Sequence, residues 1–215
     1  MERQKNKLEL YGISFFYIIY FVGIAGHLLS FTKDLMISLT PFTLFLSSII
    51  LVWYLIREKN NKLLIWFTVT YLITFLLEVI GVKTGLVFGS YNYGDVLGIK
   101  VFQTPLIIGL NWVFVIFGAY LLAIEIGVKK YLLSVVTGIL AVAFDYFMEP
   151  VAIKLDYWNW ADVLIPIQNY AAWFVIAFLF SSALNFINIT AKSKIYVHYF
   201  VIQFLFFVVL NSVMK

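Results

Sequence analysis

Long apolar runs dominate the chain, and short polar segments separate them. Each run is roughly 20 residues long, the length that a helix needs to cross the hydrocarbon core of a bilayer. The runs occupy residues 11–31, 35–56, 63–80, 105–126, 131–148, 170–187 and 195–213. The pattern predicts an all-α fold: a polytopic membrane bundle of about seven transmembrane helices, forming a single integral membrane domain over residues 1–215.

Composition favours the same class of protein. Hydrophobic residues make up 63% of the chain, charged residues only 12%, and the mean hydropathy is +0.98. The formal net charge is +4, but the cations lie in short clusters between the apolar runs. That distribution does not predict a nucleic-acid-binding surface. The chain has no cysteine, which excludes disulfide bonds, a thiolate nucleophile and iron–sulfur ligation.

The cation clusters alternate in size along the chain, which is the basis of the positive-inside rule. Ten Lys and Arg residues lie on one side, before the first run or in the second, fourth and sixth connections: Arg3, Lys5, Lys7, Arg57, Lys59, Lys62, Lys129, Lys130, Lys192 and Lys194. Five lie on the other side: Lys33, Lys83, Lys100, Lys154 and Lys215. We therefore expect a multi-pass protein of the cell membrane, with its N-terminus in the cytoplasm and its C-terminus outside.

Two connections are long and rich in Gly, Tyr, Trp and Asp: the third, residues 81–104, and the fifth, residues 149–169. Long loops of this kind often carry function. Two spans separate them, so they lie on the same side of the membrane in either orientation. We expect the third to form a folded lid or a partly re-entrant segment, because its glycines permit tight turns.

Three carboxylates lie at this end of the bundle, and they are the candidate catalytic residues. Glu78 falls near the end of the third run, and Asp145 and Glu149 fall at the end of the fifth. The last two are four residues apart and share one helix face, and Pro150 is predicted to end that helix. Acids within a membrane are costly and are functional candidates by default. Each also has a structural alternative to a catalytic role. Glu78 could be hydrogen-bonded to the loop backbone, and Asp145 and Glu149 could be a feature of the helix end.

Aromatic and amide residues cluster at the same end, and they are the candidate substrate-binding residues. They are Tyr91, Tyr93, Asn111, Trp112, Trp158, Trp160, Asn169 and Trp173. The tryptophans also suit anchors at the membrane interface, and Asn169 also suits a cap of the sixth span. His27 lies toward the same end, but packing is the simpler interpretation.

Several membrane functions lack the residues that they need. The last run has no lysine for a retinal Schiff base, and two histidines are too few for a di-iron cluster. No phosphate-binding Gly-Lys loop is present. We therefore predict a site without metal or cofactor.

Carboxylic acids beside aromatic faces suit the protonation of an alkene. A carboxyl group withdrawn from water can remain protonated and act as a general acid. Proton addition to a trisubstituted double bond gives a tertiary carbocation, which Tyr and Trp faces stabilise by roughly 0.5 to 2 kcal/mol each. Capture by water gives an alcohol, whereas attack by a second alkene gives a ring.

The motif residues also resemble a known family. In chain order they are Glu78, Gly81, Thr84, Gly85, Phe88, Gly89, Tyr91, Tyr93, Leu97, Gly98, Pro105, Trp112, Asp145, Met148, Glu149, Pro150, Val151, Ala152, Trp158, Trp160, Pro166, Asn169 and Trp173. Their order, within about residues 63–183, resembles the bacterial and archaeal carotenoid-biosynthesis membrane proteins, which include bisanhydrobacterioruberin and γ-carotene hydratases. The resemblance implies a cofactor-independent hydro-lyase that adds water to the terminal isopropylidene double bond of an acyclic or monocyclic carotenoid, such as lycopene or γ-carotene.

From the chemistry, Asp145 is the first choice for general acid, because it lies deeper in the span than Glu149. Glu149 or Glu78 would then position the water. The expected partners are the polyene, the bilayer and other carotenoid-biosynthesis enzymes. The alternatives are a lycopene cyclase-like enzyme, a small proton-coupled transporter and a non-catalytic carotenoid-binding protein.

Overall fold

The computed structural model describes residues 2–162 and 164–214. Seven α-helices lie within this part of the chain, and each is long and apolar enough to cross a membrane. They are α1 Glu2–Leu28, α2 Lys33–Arg57, α3 Asn61–Thr84, α4 Leu106–Glu125, α5 Leu133–Lys154, α6 Ile167–Phe186 and α7 Ile195–Val213. The predicted all-α polytopic bundle is confirmed.

Helix α5 differs from the prediction at its C-terminal end. It continues through Pro150 to Lys154, so the prediction that Pro150 ends this helix is wrong. Proline removes one backbone donor, and a transmembrane helix tolerates this loss where neighbouring segments pack around it. Both α5 carboxylates therefore lie inside the helix rather than in its last turn.

Helix α1 also differs, because it begins at Glu2 instead of near residue 11. The polar residues that precede the apolar run include Glu, Arg, Gln and Lys, which are good helix formers. The helix therefore starts before its apolar run, and the segment of α1 that is apolar enough to span is Lys7–Leu28.

Helix α4 lies at the centre of the bundle. Of the residues in its most apolar stretch, 72% are buried within the protein, compared with 11% for α1. Gly118 allows α7 to approach closely, since a β-carbon at this position would lie 2.5 Å from the β-carbon of Phe200. Small residues commonly permit such contacts between membrane helices. The elements that carry the candidate site, α3, α5 and α6, all pack against this central helix.

The two long connections pair with each other through short strands. The strands are β1 Tyr91–Tyr93, β2 Lys100–Val101, β3 Thr104–Pro105 and β4 Trp158–Trp160. Strands β2 and β3 form a small hairpin within the third connection, and β1 pairs antiparallel with β4 of the fifth. The third connection is thus folded, as expected, and the β1–β4 pair, which we call the lid, joins it to the fifth.

The α2–α3, α4–α5 and α6–α7 connections lie at the opposite end of the bundle. The α6–α7 connection meets α1 and the α2–α3 connection, where Glu9 and Glu58 accept hydrogen bonds from its backbone N–H groups and from the Ser193 hydroxyl. Lys194 Nζ also lies 2.6 Å from Glu125 Oε1 of α4. The cation-rich connections therefore gather away from the lid. Three of the cations counted above lie outside the described part of the chain: Lys215, and the side chains of Arg3 and Lys5.

Candidate functional site

Three carboxyl side chains converge beneath the lid. Glu78 is in the C-terminal half of α3, and Asp145 and Glu149 occupy one face of α5. Their exposed fractions are 5%, 0% and 2%, respectively. Buried carboxyl groups require hydrogen-bond partners, so the partners of each group indicate what it can do.

Glu78 accepts hydrogen bonds at both oxygens. Tyr93 Oη donates to Oε2 at 2.7 Å, and Tyr91 Oη donates to the same atom. Trp112 Nε1 donates to Oε1 at 2.6 Å. Burial raises the pKa of the Tyr91 and Tyr93 phenols well above the ordinary value, and the nearby Glu78 carboxylate acts in the same direction. Both hydroxyls therefore keep their protons and act as donors.

Glu149 also accepts several hydrogen bonds. Trp158 Nε1 and Trp160 Nε1 donate to Oε2 at 2.9 and 2.8 Å. Asn169 Nδ2 approaches Oε1 at 3.3 Å. The indole N–H groups of both lid tryptophans thus serve one carboxyl group, which a role as interfacial anchors does not explain.

Asp145 has the fewest partners of the three. Asn169 Nδ2 donates to Oδ2 at 2.6 Å, and Oδ1 is buried without a partner among the described residues. The same amide nitrogen contacts Glu149, so the two α5 carboxyl groups are immediate neighbours. Helix α6 begins at Ile167 after Pro166, which places Asn169 in its first turn rather than at the cap.

The pairing of the lid strands directs aromatic rings into the site. Tyr91 lies opposite Trp160, and Tyr93 lies opposite Trp158. Alternate residues of a strand face the same side, so these four rings share one face of the lid. The Tyr91 and Trp160 ring centroids are 5.1 Å apart. Asn92, between the tyrosines, is exposed on the other face.

A stacked tryptophan pair from two helices lines the site together with the lid. The rings of Trp112 from α4 and Trp173 from α6 have centroids 3.9 Å apart and planes inclined by 27°. Phe88 also packs against Trp112, with ring centroids 6.1 Å apart. Aromatic faces carry negative potential, so a cation formed beneath the lid would meet several favourable surfaces.

A small cavity of about 30 Å³ lies between these groups. All the residues predicted to form the site line it: Glu78, Tyr91, Tyr93, Asn111, Trp112, Asp145, Glu149, Trp158, Trp160, Asn169 and Trp173. The volume is about that of one water molecule in the liquid. The structure brings the predicted residues together, and their individual roles are still predictions.

Sequence reasoning missed four residues at the site. Three of them, Phe88, Ile108 and Met148, line the cavity. Phe88 and Met148 belong to the motif, but neither was predicted to bind substrate. Gln203 of α7 donates through Nε2 to Asn111 Oδ1 at 3.1 Å. A glutamine inside an apolar run is itself a signal, because polar side chains within a membrane span usually have a partner.

Among the described residues, no group of three or more His, Cys, Asp or Glu side chains has an arrangement that could hold a metal ion. The groups that line the site are carboxyl groups, amides, aromatic rings and apolar side chains.

A family model described as carotenoid biosynthesis protein matches residues 39–215. This span includes the whole lid and every residue that lines the small cavity. No curated protein and no solved structure matches the chain.

Proposed function

We propose that this chain, which belongs to the carotenoid biosynthesis protein family, is a carotenoid hydratase. It adds water across the terminal isopropylidene double bond of an acyclic or monocyclic carotenoid such as lycopene or γ-carotene. The observation that carries the proposal is the cluster of three buried carboxyl groups around a cavity of about 30 Å³ walled by aromatic rings. The cavity is large enough to hold one water molecule.

Asp145 is the general acid in this mechanism. It is fully buried and accepts fewer hydrogen bonds than Glu78 or Glu149, so it is the carboxyl group that gains most from carrying a proton. Its proton adds to the less substituted carbon of the double bond. The electron pair of the double bond forms the new C–H bond, and the other carbon becomes a tertiary carbocation.

The aromatic walls stabilise this carbocation. Trp112, Trp173 and the lid rings all line the cavity, and each ring contributes roughly 0.5–2 kcal/mol of cation–π attraction. Glu78, held by Tyr91, Tyr93 and Trp112, supplies a fixed negative charge nearby. These hydrogen bonds to Glu78 also connect α3 with α4 and with the lid.

Glu149 is the base that activates water. Water forms the C–O bond with the cation, and Glu149 accepts the proton that the water loses. Asp145 is then ionised and Glu149 protonated. Because both contact Asn169 Nδ2, a proton transfer between these neighbours restores the starting state. No cofactor is needed in this cycle.

The proposed location is the cell membrane, with the N-terminus in the cytoplasm and the lid and C-terminus outside. The support is the larger number of cations in the connections at the end opposite the lid. The polyene is soluble in lipid, so it reaches the site from the bilayer, and enzymes that make or modify the same polyene are the expected neighbours.

The test is expression of the chain in cells that accumulate lycopene or γ-carotene, followed by chromatography and mass spectrometry of the pigments. A product heavier by one water with an unchanged polyene spectrum supports the hydratase. A product of unchanged mass with an altered spectrum would instead assign a cyclase-like activity. Unchanged pigment with folded, inserted protein would contradict both and favour a transporter or a pigment-binding protein.

A further inference from the structure

A larger cavity lies beside the carboxyl cluster. Its volume is about 270 Å³, near the lower end of the roughly 300–1,000 Å³ found for small-molecule sites. Mostly apolar side chains from α1, α2, α4 and α7 form its wall. Four residues line both cavities: Ile108, Asn111, Met148 and Trp158. The larger cavity is therefore an immediate neighbour of the proposed reaction site.

The exposed residues of the lining indicate that the mouth of this cavity lies between α1 and α2. The exposed residues of its lining all belong to these two helices: Ile18, Val22 and Leu39, with exposed fractions of 62%, 54% and 40%. All three lie within the segments that are long and apolar enough to span the membrane. The mouth therefore faces lipid rather than water.

We infer that this cavity binds the polyene segment next to the reacting double bond, and that the polyene enters from the bilayer between α1 and α2. The inference rests on the proposed function and assigns its substrate path. An apolar wall suits a conjugated hydrocarbon, and the shared residues bring the end of the chain to the carboxyl groups. The rest of the chain extends through the mouth into lipid.

Val22→Trp tests the path by filling the mouth, and Val69→Trp is its matched control. Val69 is also a lipid-exposed valine, 45% exposed, on α3 away from both cavities. Each variant is expressed in pigment-accumulating cells, and both the pigment that co-purifies with the protein and the hydrated product are measured. The expected result is a loss of about tenfold or more in both for Val22→Trp, with Val69→Trp near wild type.

The two readouts separate this inference from the proposed function. Retained pigment that depends on Val22, without any hydrated product in the wild type, supports the binding cavity and contradicts the hydratase. Hydration by the wild type that Val22→Trp leaves unchanged, with the protein inserted and monodisperse in detergent, would overturn the cavity assignment and leave the hydratase standing.

A second inference rests on two buried polar atoms in the same cavity. His27 Nε2 and Gln203 Oε1 have no hydrogen-bond partner among the described residues. Both residues are buried, with exposed fractions of only 7% and 3%. His27 Nδ1 lies 2.7 Å from the carbonyl oxygen of Gly23 and must donate to it, which leaves Nε2 of the neutral ring as an acceptor. Both atoms therefore require a donor.

We propose that Gln203 and His27 hold water for the reaction, and that Gln203 is a positioning residue. Water carries two O–H donors, whereas a hydrocarbon carries none and would leave both acceptors unpaired. Gln203 contacts Asn111, which lines both cavities. The Gln203–Asn111 pair thus connects the water-binding atoms with the carboxyl site.

Gln203→Leu tests this role through the fate of the carbocation. Without positioned water, the cation loses a proton or is attacked by an alkene, and both routes give products of unchanged mass. The ratio of hydrated to isomeric product is expected to fall by about tenfold, and this ratio is independent of how much pigment the variant retains. Gln203→Asn keeps both the acceptor oxygen and the amide N–H groups and should restore most of the ratio.

Two results would overturn the water assignment. One is an unchanged product ratio in Gln203→Leu. The other is a preference of the wild type for hydroxylated over hydrocarbon polyenes that Gln203→Leu abolishes, because the acceptors would then serve an oxygen on the ligand itself.

Discussion

At the residue scale, the three carboxyl groups differ mainly in the number of hydrogen bonds that they accept. Glu78 and Glu149 each accept three, whereas Asp145 accepts one from Asn169. Donors favour the ionised form of a carboxyl group. The proposed mechanism therefore gives the acid role to Asp145, which has the fewest donors, and the base role to Glu149, which shares the Asn169 amide with it.

Asp145→Asn tests the acid role with little change in shape. Asparagine carries no transferable proton, so hydrated product is expected to fall by about 10²–10⁴-fold, the usual contribution of a general acid. Asp95→Asn is the control, because Asp95 is exposed in the third connection and pairs with Lys100 at 2.7 Å. Full turnover by Asp145→Asn would remove this residue from the acid role.

Trp173 allows the contribution of an aromatic face to be measured separately. Trp173→Phe keeps a ring stacked near Trp112, whereas Trp173→Leu keeps bulk and removes the ring. Loss of roughly 0.5–2 kcal/mol of cation–π attraction corresponds to a rate about 2- to 30-fold lower for the leucine variant than for the phenylalanine variant. Equal rates for the two would indicate that the residue only fills space.

At the element scale, the lid determines the site, because one two-stranded ribbon supplies four of its rings. Its edges are set by close backbone contacts: Gly94 N–H donates to the carbonyl of Tyr157 at 3.0 Å, and Ala161 N–H donates to that of Ser90 at 2.8 Å. A β-carbon at Gly94 would lie 2.0 Å from the carbonyl oxygen of Asp156. Glycine is therefore required where the two connections meet.

Gly94→Ala should separate the lid strands without unfolding the bundle. We expect loss of most hydrated product and greater exposure of Trp158 and Trp160, seen as red-shifted fluorescence, with the helical circular dichroism unchanged. Asn92→Ala is the control, since Asn92 lies in the adjoining strand β1 but is exposed on the outer face of the lid. A fully active Gly94→Ala variant would contradict the role of the lid.

The sequence predicted the elements better than their contacts. Apolar runs defined the seven helices, and the four-residue spacing of Asp145 and Glu149 defined a shared face. The predicted helix end at Pro150 was wrong, because proline ends many helices of soluble proteins but is tolerated in a packed membrane helix. The β1–β4 pairing and the contact between Asn111 and Gln203, which are 92 residues apart, could not be predicted, because local periodicity carries no information on tertiary neighbours.

At the scale of the whole molecule, the bundle has two different ends. The lid and the carboxyl site lie at one end, and the cation-rich connections lie at the other. The positive-inside rule then predicts that the lid faces outward.

Single cysteines test this orientation without interference, because the chain has no native cysteine. Asn92→Cys places an exposed thiol on the lid, and Lys59→Cys places one in the α2–α3 connection. A membrane-impermeant thiol reagent applied to intact cells should label the first and spare the second. The reverse labelling would show that the bundle is inverted.

The most direct test of the central claim is isotope incorporation by the purified protein in detergent with lycopene or γ-carotene. In D₂O enriched in ¹⁸O, the proposed mechanism predicts a product that carries one carbon-bound deuterium and one ¹⁸O atom, because proton and hydroxyl both come from solvent. Wild-type protein should form this product and Asp145→Asn should not. A product with deuterium but no oxygen, or an unlabelled polyene, would contradict hydration.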